Sequence, residues 1–260
     1  MRTIFYHIIL CGTFIFGLFS RYPYLWFHRD PEKRYRFVTK TNKIWGRHIL
    51  WGAASKVNVI YKSEAVKKEV EKIRDTKEAI VLISNHQSNT DIPVLSAYLP
   101  IDFSFIAKKE MRKWPLIGYW MKCQDCIFLD RKNPRQGMKD MKEAEKKIAN
   151  GHSFVIFPEG TRSEDGKVGE FKKGSFKLAL DSNARILPVT LIGTYDIQKK
   201  SSLKVTPNKN VKMVVDMPIN LDELSREDKK NIHSYVNNII KEKCKALHQA
   251  AYELGSTLIR

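Results

Sequence analysis

A chain of 260 residues has room for one substantial core, or for a core with an appendage. Lysine and arginine number 46 against 28 acidic residues, a net charge of +18, which points to anionic partners: membrane phospholipid, a phosphorylated substrate, a nucleotide-bearing donor or nucleic acid. Four cysteines (Cys11, Cys123, Cys126, Cys244) give no disulfide framework at this length and fit a reducing cytoplasm.

Ile4 to Ser20 is almost continuously apolar, interrupted by His7 and small polar residues. As a helix it would extend roughly 25 Å, short of a ~30 Å hydrocarbon core. Tyr22-Pro23-Tyr24-Leu25-Trp26-Phe27 then supplies aromatics suited to the headgroup level. Basic residues follow (His28, Arg29, Lys33, Arg34, Arg36, Lys40, Lys43, Arg47), which by the positive-inside rule sets the rest of the chain on the cytoplasmic side. A cleaved signal peptide is disfavoured because no small-residue cleavage site follows the apolar run. The stretch from Glu32 to Ala54 reads as a second helix whose Trp45, Ile49, Leu50 and Trp51 lie on the membrane while its basic residues face headgroups. We therefore expect residues 1–56 to form a helical-pair anchor dipping into one leaflet, with a lone span as the alternative.

From residue 57 to 260 the pattern is that of one domain. Val57–Tyr61 alternates like a strand, and Ser63 caps a charged helix to Thr76 with Val66, Val70 and Ile73 on one face. Ala79–Ile83 is an apolar run that reads as a buried strand, followed by a helix from about Asp91 to Tyr98. Phe103–Ala107 and Ile127–Leu129 are further strands, separated by a broken helix around Pro115 and Gly118. Cys123 and Cys126 form a C-x-x-C, but no second ligand pair is spaced for zinc and the usual redox context is missing, so the spacing is read as incidental. Pro134 to Asn150 is a helix stopped by Gly151. Then come a strand at Phe154–Phe157, a loop to Gly174, a helix to Asp181, strands at Ile186–Ile192 and Val211–Val215, and a largely helical segment from Arg226 to Leu254. Strands alternating with helices argue an α/β fold, a mixed and substantially parallel sheet flanked by helices, with the N-terminal membrane-associated helical segment in front of it.

The chemistry gathers after the strands. Ser84-Asn85-His86-Gln87-Ser88-Asn89-Thr90-Asp91 puts a histidine at a strand end and an aspartate five positions on. An imidazole beside a carboxylate is the minimal unit for taking a proton from a hydroxyl. Alone the pair is equally well a strand-end histidine and a first-turn aspartate. Phe157-Pro158-Glu159-Gly160-Thr161-Arg162-Ser163 follows another strand; its Arg162 can grip a phosphate, and Glu159 can orient that arginine or a substrate hydroxyl. Arg131 stands just past Ile127–Leu129, and Lys108 past Phe103–Ala107. A lone basic residue of this kind is usually a solvated side chain.

Taken in order, these segments resemble the glycerolipid acyltransferase family, which acylates lysophosphatidic acid at the sn-2 position. The resemblance runs from Val57 to Val215 and rests on four motifs: N-H-x-x-x-x-D at Asn85–Asp91, an apolar-arginine block at Cys126–Arg131, F-P-E-G-T-R at Phe157–Arg162, and Leu187-Pro188-Val189. Cys126 departs from the glycine usual in the second block, where backbone approaches substrate.

The resemblance implies acyl transfer from a thioester to the 2-hydroxyl of lysophosphatidic acid, with His86 as base and Asp91 as its orienting carboxylate. Lys108, Arg131 and Arg162 are the implied phosphate ligands, and Glu159, Gly160 and Thr161 shape the glycerol site. Direct transfer calls for no metal and no bound cofactor; the co-substrate is acyl-CoA or acyl carrier protein. The implied partners are an anionic phospholipid membrane and these substrates, not nucleic acid. Another lysophospholipid or glycerol 3-phosphate as acceptor, hydrolysis of the thioester, and a non-enzymatic basic binding protein are the alternatives.

Overall fold

The computed structural model describes residues 1–257, and in it strands and helices alternate as the hydrophobic pattern predicts. Three helices come first: α1 (Arg2–Ser20), α2 (Tyr22–Phe27) and α3 (Pro31–Gly52). β1 (Lys56–Tyr61), α4 (Glu64–Thr76), β2 (Val81–Ser84), α5 (Asp91–Tyr98) and β3 (Phe103–Lys108) follow. Then come α6 (Ile117–Cys123), β4 (Ile127–Leu129), α7 (Pro134–Ala149), β5 (Ser153–Ile156), α8 (Lys177–Ser182) and β6 (Ile186–Ile192). α9 (Thr194–Ile197), β7 (Asn210–Val215), α10 (Arg226–Lys230) and α11 (Ile232–Thr257) are the last of the described strands and α-helices.

Local chemistry sets these boundaries. Asp30, Ser63 and Asn133 accept first-turn amides with their side chains and so start α3, α4 and α7. The broken helix is a 3-10 turn at Lys109–Lys113 followed by α6, with Pro115 between them. The final helix is interrupted at Asn231 rather than continuous. The aromatic cluster after Arg21 is itself helical, as α2.

Among the described residues the sheet has seven strands, in the order β1-β7-β6-β2-β5-β3-β4. Every pairing is parallel except β6 with β7. β2 lies at the centre with all four residues buried, as a strand covered on both faces must be. Its alternation splits the core into two layers. Leu82 joins Val94 and Leu95 of α5, Val66 and Ile73 of α4, and Val155 on one face. Val81 and Ile83 join Ile148 of α7, Leu178 of α8 and Val236 of α11 on the other.

One expectation is overturned here. Ile49 and Leu50 of α3 do not face lipid; each is 1% exposed and belongs to the main core, and Trp45 is packed against it. Only Trp51 of that quartet projects outward, at 63% exposure. The cause is close packing of α3 on α5, where a Cβ on Gly46 would lie 2.5 Å from the Pro93 carbonyl oxygen. An apolar stripe at helical spacing serves a sheet domain as well as it serves a bilayer.

Candidate active site

Four adjacent parallel strands, β2, β5, β3 and β4, end on one edge of the sheet, where open α/β sheets bind their ligands. That edge receives His86 and Asp91 after β2, Glu159 to Arg162 after β5, Lys108 at the end of β3 and Arg131 after β4. Lys108 is in register with Leu129, two residues before Arg131, so the two cations leave neighbouring strands together.

Asp91 is the first residue of α5 and is fully buried. Its Oδ2 accepts from His86 Nδ1 at 2.7 Å and from the amides of Gln87 and Ser88 at 2.7 and 2.9 Å. Three donors thus converge on one oxygen at the start of α5, and that oxygen sets the orientation of the imidazole. With Nδ1–H directed at that oxygen, the neutral ring carries its lone pair on Nε2. The His86 ring stacks on Phe157, centroids 4.1 Å apart and 17° from parallel, and keeps 18% of its side chain exposed. The base is thus reachable and its carboxylate is not.

The residues around the histidine fasten it to the sheet. Asn85 pairs through its side-chain amide with the Leu191 backbone of β6, donating at 2.9 Å and accepting at 2.8 Å. Gln87 donates to the Gly166 carbonyl at 2.7 Å and accepts from the Thr194 hydroxyl at 3.1 Å. Ser88 donates to the Gln198 carbonyl at 2.7 Å. The sequence motif contains these residues, but spacing alone assigns them no role.

Glu159 is placed differently from the substrate-binding expectation. It is 8% exposed; its Oε1 accepts from the His86 amide at 2.8 Å and its Oε2 from the Gly169 amide at 3.1 Å. The carboxylate therefore pins the histidine loop to the long loop after β5. Burial pushes its carboxyl above the usual value, while the two amide bonds pull the other way. The Ser163 amide donates to the His86 carbonyl at 2.8 Å, a second tie between the same loops. Arg162, between these ties, is half-buried and makes no hydrogen bond or ion pair among the described residues, while Thr161 is exposed. Gly160 has φ +72°, a conformation favouring glycine.

Arg131 is exposed and donates through Nη1 to the Gly160 carbonyl at 2.9 Å. Its turn is ordered by Asp130, which accepts from the amides of Lys132 and Asn133 at 3.1 and 3.2 Å and from Lys109 Nζ at 2.7 Å. Lys109 holds the Asp130 carboxyl below the usual range. Lys108 is exposed at the strand end. Cys126 stands apart from this edge, at the opposite end of β4. It is buried in the main core and accepts the Phe105 amide on Sγ at 3.5 Å. Its side chain meets the core, not the cationic edge.

Comparisons with known proteins bear on the family and the fold. The family model described as Acyltransferase matches residues 56–192. The chloroplastic 1-acyl-sn-glycerol-3-phosphate acyltransferase of Arabidopsis thaliana is 32% identical over 225 residues, covering 84% of this chain and 59% of that protein. A 1-acyl-sn-glycerol-3-phosphate acyltransferase of Limnanthes alba is 36% identical over 192 residues, covering 73% and 66% respectively. The chain thus spans less than two thirds of either relative's length. The crystal structure of the 1-acyl-sn-glycerophosphate acyltransferase of Thermotoga maritima superposes with a TM-score of 0.77 at 29% identity, covering 95% of each chain.

Proposed function

This chain belongs to the acyltransferase family, and on that premise we propose that it transfers a fatty acyl group from a thioester to the sn-2 hydroxyl of lysophosphatidic acid, giving phosphatidic acid. The observation that carries the reading is the 2.7 Å contact of His86 Nδ1 with buried Asp91, which leaves Nε2 as the available base beside a cationic strand edge. The names of the relatives support the acceptor.

In the proposed reaction Nε2 of His86 removes the acceptor hydroxyl proton as that oxygen attacks the thioester carbonyl. Asp91 stabilises the imidazolium that forms. Collapse of the tetrahedral intermediate breaks the carbon–sulfur bond, and the imidazolium returns its proton to the departing thiolate. The acceptor is itself the nucleophile, so no acyl-enzyme intervenes. Arg131, Arg162 and Lys108 take the acceptor's phosphate, with Gly160 and Thr161 beside the glycerol. Glu159 holds the histidine loop from behind. The thioester is acyl-CoA or acyl carrier protein, and both are anionic enough to suit the +18 surface.

We place the protein on a membrane through its N-terminal helices. Arg2–Phe27 is long and apolar enough to cross a bilayer by length and composition. Ile4, Ile8, Ile15, Phe16, Phe19, Trp26 and Phe27 are exposed, whereas Tyr6, Tyr22 and Leu25 are buried against the protein. Both ends of this segment are tied down: Thr3 bonds the Val205 backbone and Tyr22 packs on Tyr119 and Trp120. A helix held in this way lies along the domain, which supports docking into one leaflet over a free span. The catalytic domain then faces the cytoplasm, on the side of the basic residues of α3.

Turnover of lysophosphatidic acid by purified protein, with acyl-CoA and acyl carrier protein as donors, tests the reading. His86→Ala should lower kcat by about 10³- to 10⁴-fold with an unchanged melting transition. Substantial activity in that variant, or none in the unsubstituted protein with either donor, would sink it.

A further inference from the structure

We propose that Lys172 is a further ligand for the acceptor's phosphate monoester, acting with Arg131 across the open face of Gly160. This rests on the reading above, in which the cationic edge takes the phosphate of a lysophospholipid. Sequence gives no warning: Lys172 lies in a lysine-rich stretch, Lys172-Lys173-Gly174, where a single lysine is normally a solvated side chain.

Its position is fixed by the backbone. The Lys172 amide donates to the Pro158 carbonyl at 3.0 Å, three residues earlier the Gly169 amide donates to Glu159, and Phe171 between them is 5% exposed in the second core layer. The stretch from Gly169 to Lys172 is therefore anchored along the F-P-E-G-T-R turn rather than free of it. From there the side chain reaches back over Gly160. A Cβ built on Gly160 would stand 2.9 Å from Lys172 Nζ and 3.4 Å from Arg131 Nη1. Two full positive charges thus converge on the slot left by one missing side chain.

Like charges repel, so the space between them favours a group of opposite sign. Among the described residues no carboxylate fills it. Both oxygens of Glu159 are taken by amides on the far side of the turn, and Glu170, the acid nearest in sequence, pairs with Lys241 at 2.6 Å. Neither Lys172 nor Arg131 makes an ion pair among the described residues. A phosphate seated over Gly160 would meet the planar fork of Arg131 from one side and the compact ammonium of Lys172 from the other. Gly160 is then required twice, for its φ of +72° and for the absence of a Cβ in the slot.

A phosphate monoester occurs both on lysophosphatidic acid and on coenzyme A, and kinetics separates the two sources. Lys172→Ala, Lys172→Gln and Lys172→Arg in the full chain would be compared with Lys173→Ala as control. Residue 172 keeps its backbone bond to Pro158 in each variant, and a melting transition confirms folding. We expect the Ala and Gln variants to raise KM for lysophosphatidic acid roughly ten- to hundred-fold with kcat within about threefold. Their preference for lysophosphatidic acid over monoacylglycerol should shrink by the same factor. Lys172→Arg should recover most of it, and Lys173→Ala should change neither constant by more than about twofold. An unchanged acceptor KM and preference would overturn the proposal, as would a rise confined to the KM of acyl-CoA. If the unsubstituted protein fails to use lysophosphatidic acid at all, the acceptor reading falls first and this inference with it.

Discussion

The histidine loop and the cationic edge meet at the same end of the sheet but are built in opposite ways. His86, Asn85, Gln87, Ser88 and Asp91 together use hydrogen bonds to β6, to the segment around α9 and to the loop after β5, and Asp91 is wholly buried. Arg131, Lys108 and Lys172 are exposed, and among the described residues the one fixed point of their side-chain ends is the Arg131 bond to Gly160. Proton transfer demands a base held within tenths of an ångström of its orienting group. Holding a phosphate demands charge within reach, and long side chains can close on it when it arrives. The first region should therefore govern kcat and the second KM.

The largest effect that would break this division is expected at Asp91. Asp91→Asn places an amide where three donors converge on Oδ2, so the imidazole loses both its tautomer and its counter-charge. We expect kcat to fall by roughly 10³- to 10⁴-fold with the acceptor KM nearly unchanged. Steady-state kinetics over a range of acceptor concentrations would show it. A variant that instead raised KM at constant kcat would make Asp91 part of the binding surface. Next in size is Arg131→Ala, which should raise the acceptor KM about ten- to hundred-fold while leaving kcat within a few-fold. Arg131→Lys should restore little, because the planar fork is lost. If kcat collapsed in Arg131→Ala, the division between the two regions would be false.

Much of the first region was legible because its geometry is local. An aspartate five residues after a histidine, with a helix beginning at the aspartate, brings the two side chains together with no help from the rest of the chain. The strands were legible for the same reason: runs such as Ile80–Ile83 and Ile186–Ile192 declare burial by composition. Ile49 and Leu50 were misread because helical spacing identifies an apolar face without saying what covers it; the cover is the main sheet core. Lys172 and the role of Glu159 were hidden by distance along the chain. Glu159 bonds amides at His86 and Gly169, and those positions meet only once β2 and β5 pair. The antiparallel pairing of β7 against β6 was equally invisible, since strand direction leaves no mark on hydropathy.

Glu159 joins the two regions, and the smallest predicted effect tests how. Burial raises its carboxyl above the usual value, so the folded chain holds that proton more tightly than the unfolded chain does. The sign of the linkage follows. This stabilising contribution is complete below the unfolded value and is lost as pH rises through the raised folded value, so the folded protein weakens across the range just above that of an ordinary glutamate. Glu159→Gln removes the titration but leaves one amide facing an amide donor in place of an acceptor. Activity should fall by roughly tenfold, in kcat, because the His86 loop loses one of its ties. The offset in stability between the two proteins at a single pH mixes that lost hydrogen bond with the removed buried charge. The slope isolates the charge: denaturant unfolding from about pH 4 to about pH 8 should show the glutamine variant gaining on the unsubstituted protein as pH rises. Parallel curves would mean that the two amide bonds offset burial completely, and that the tie to His86 is held at no electrostatic cost.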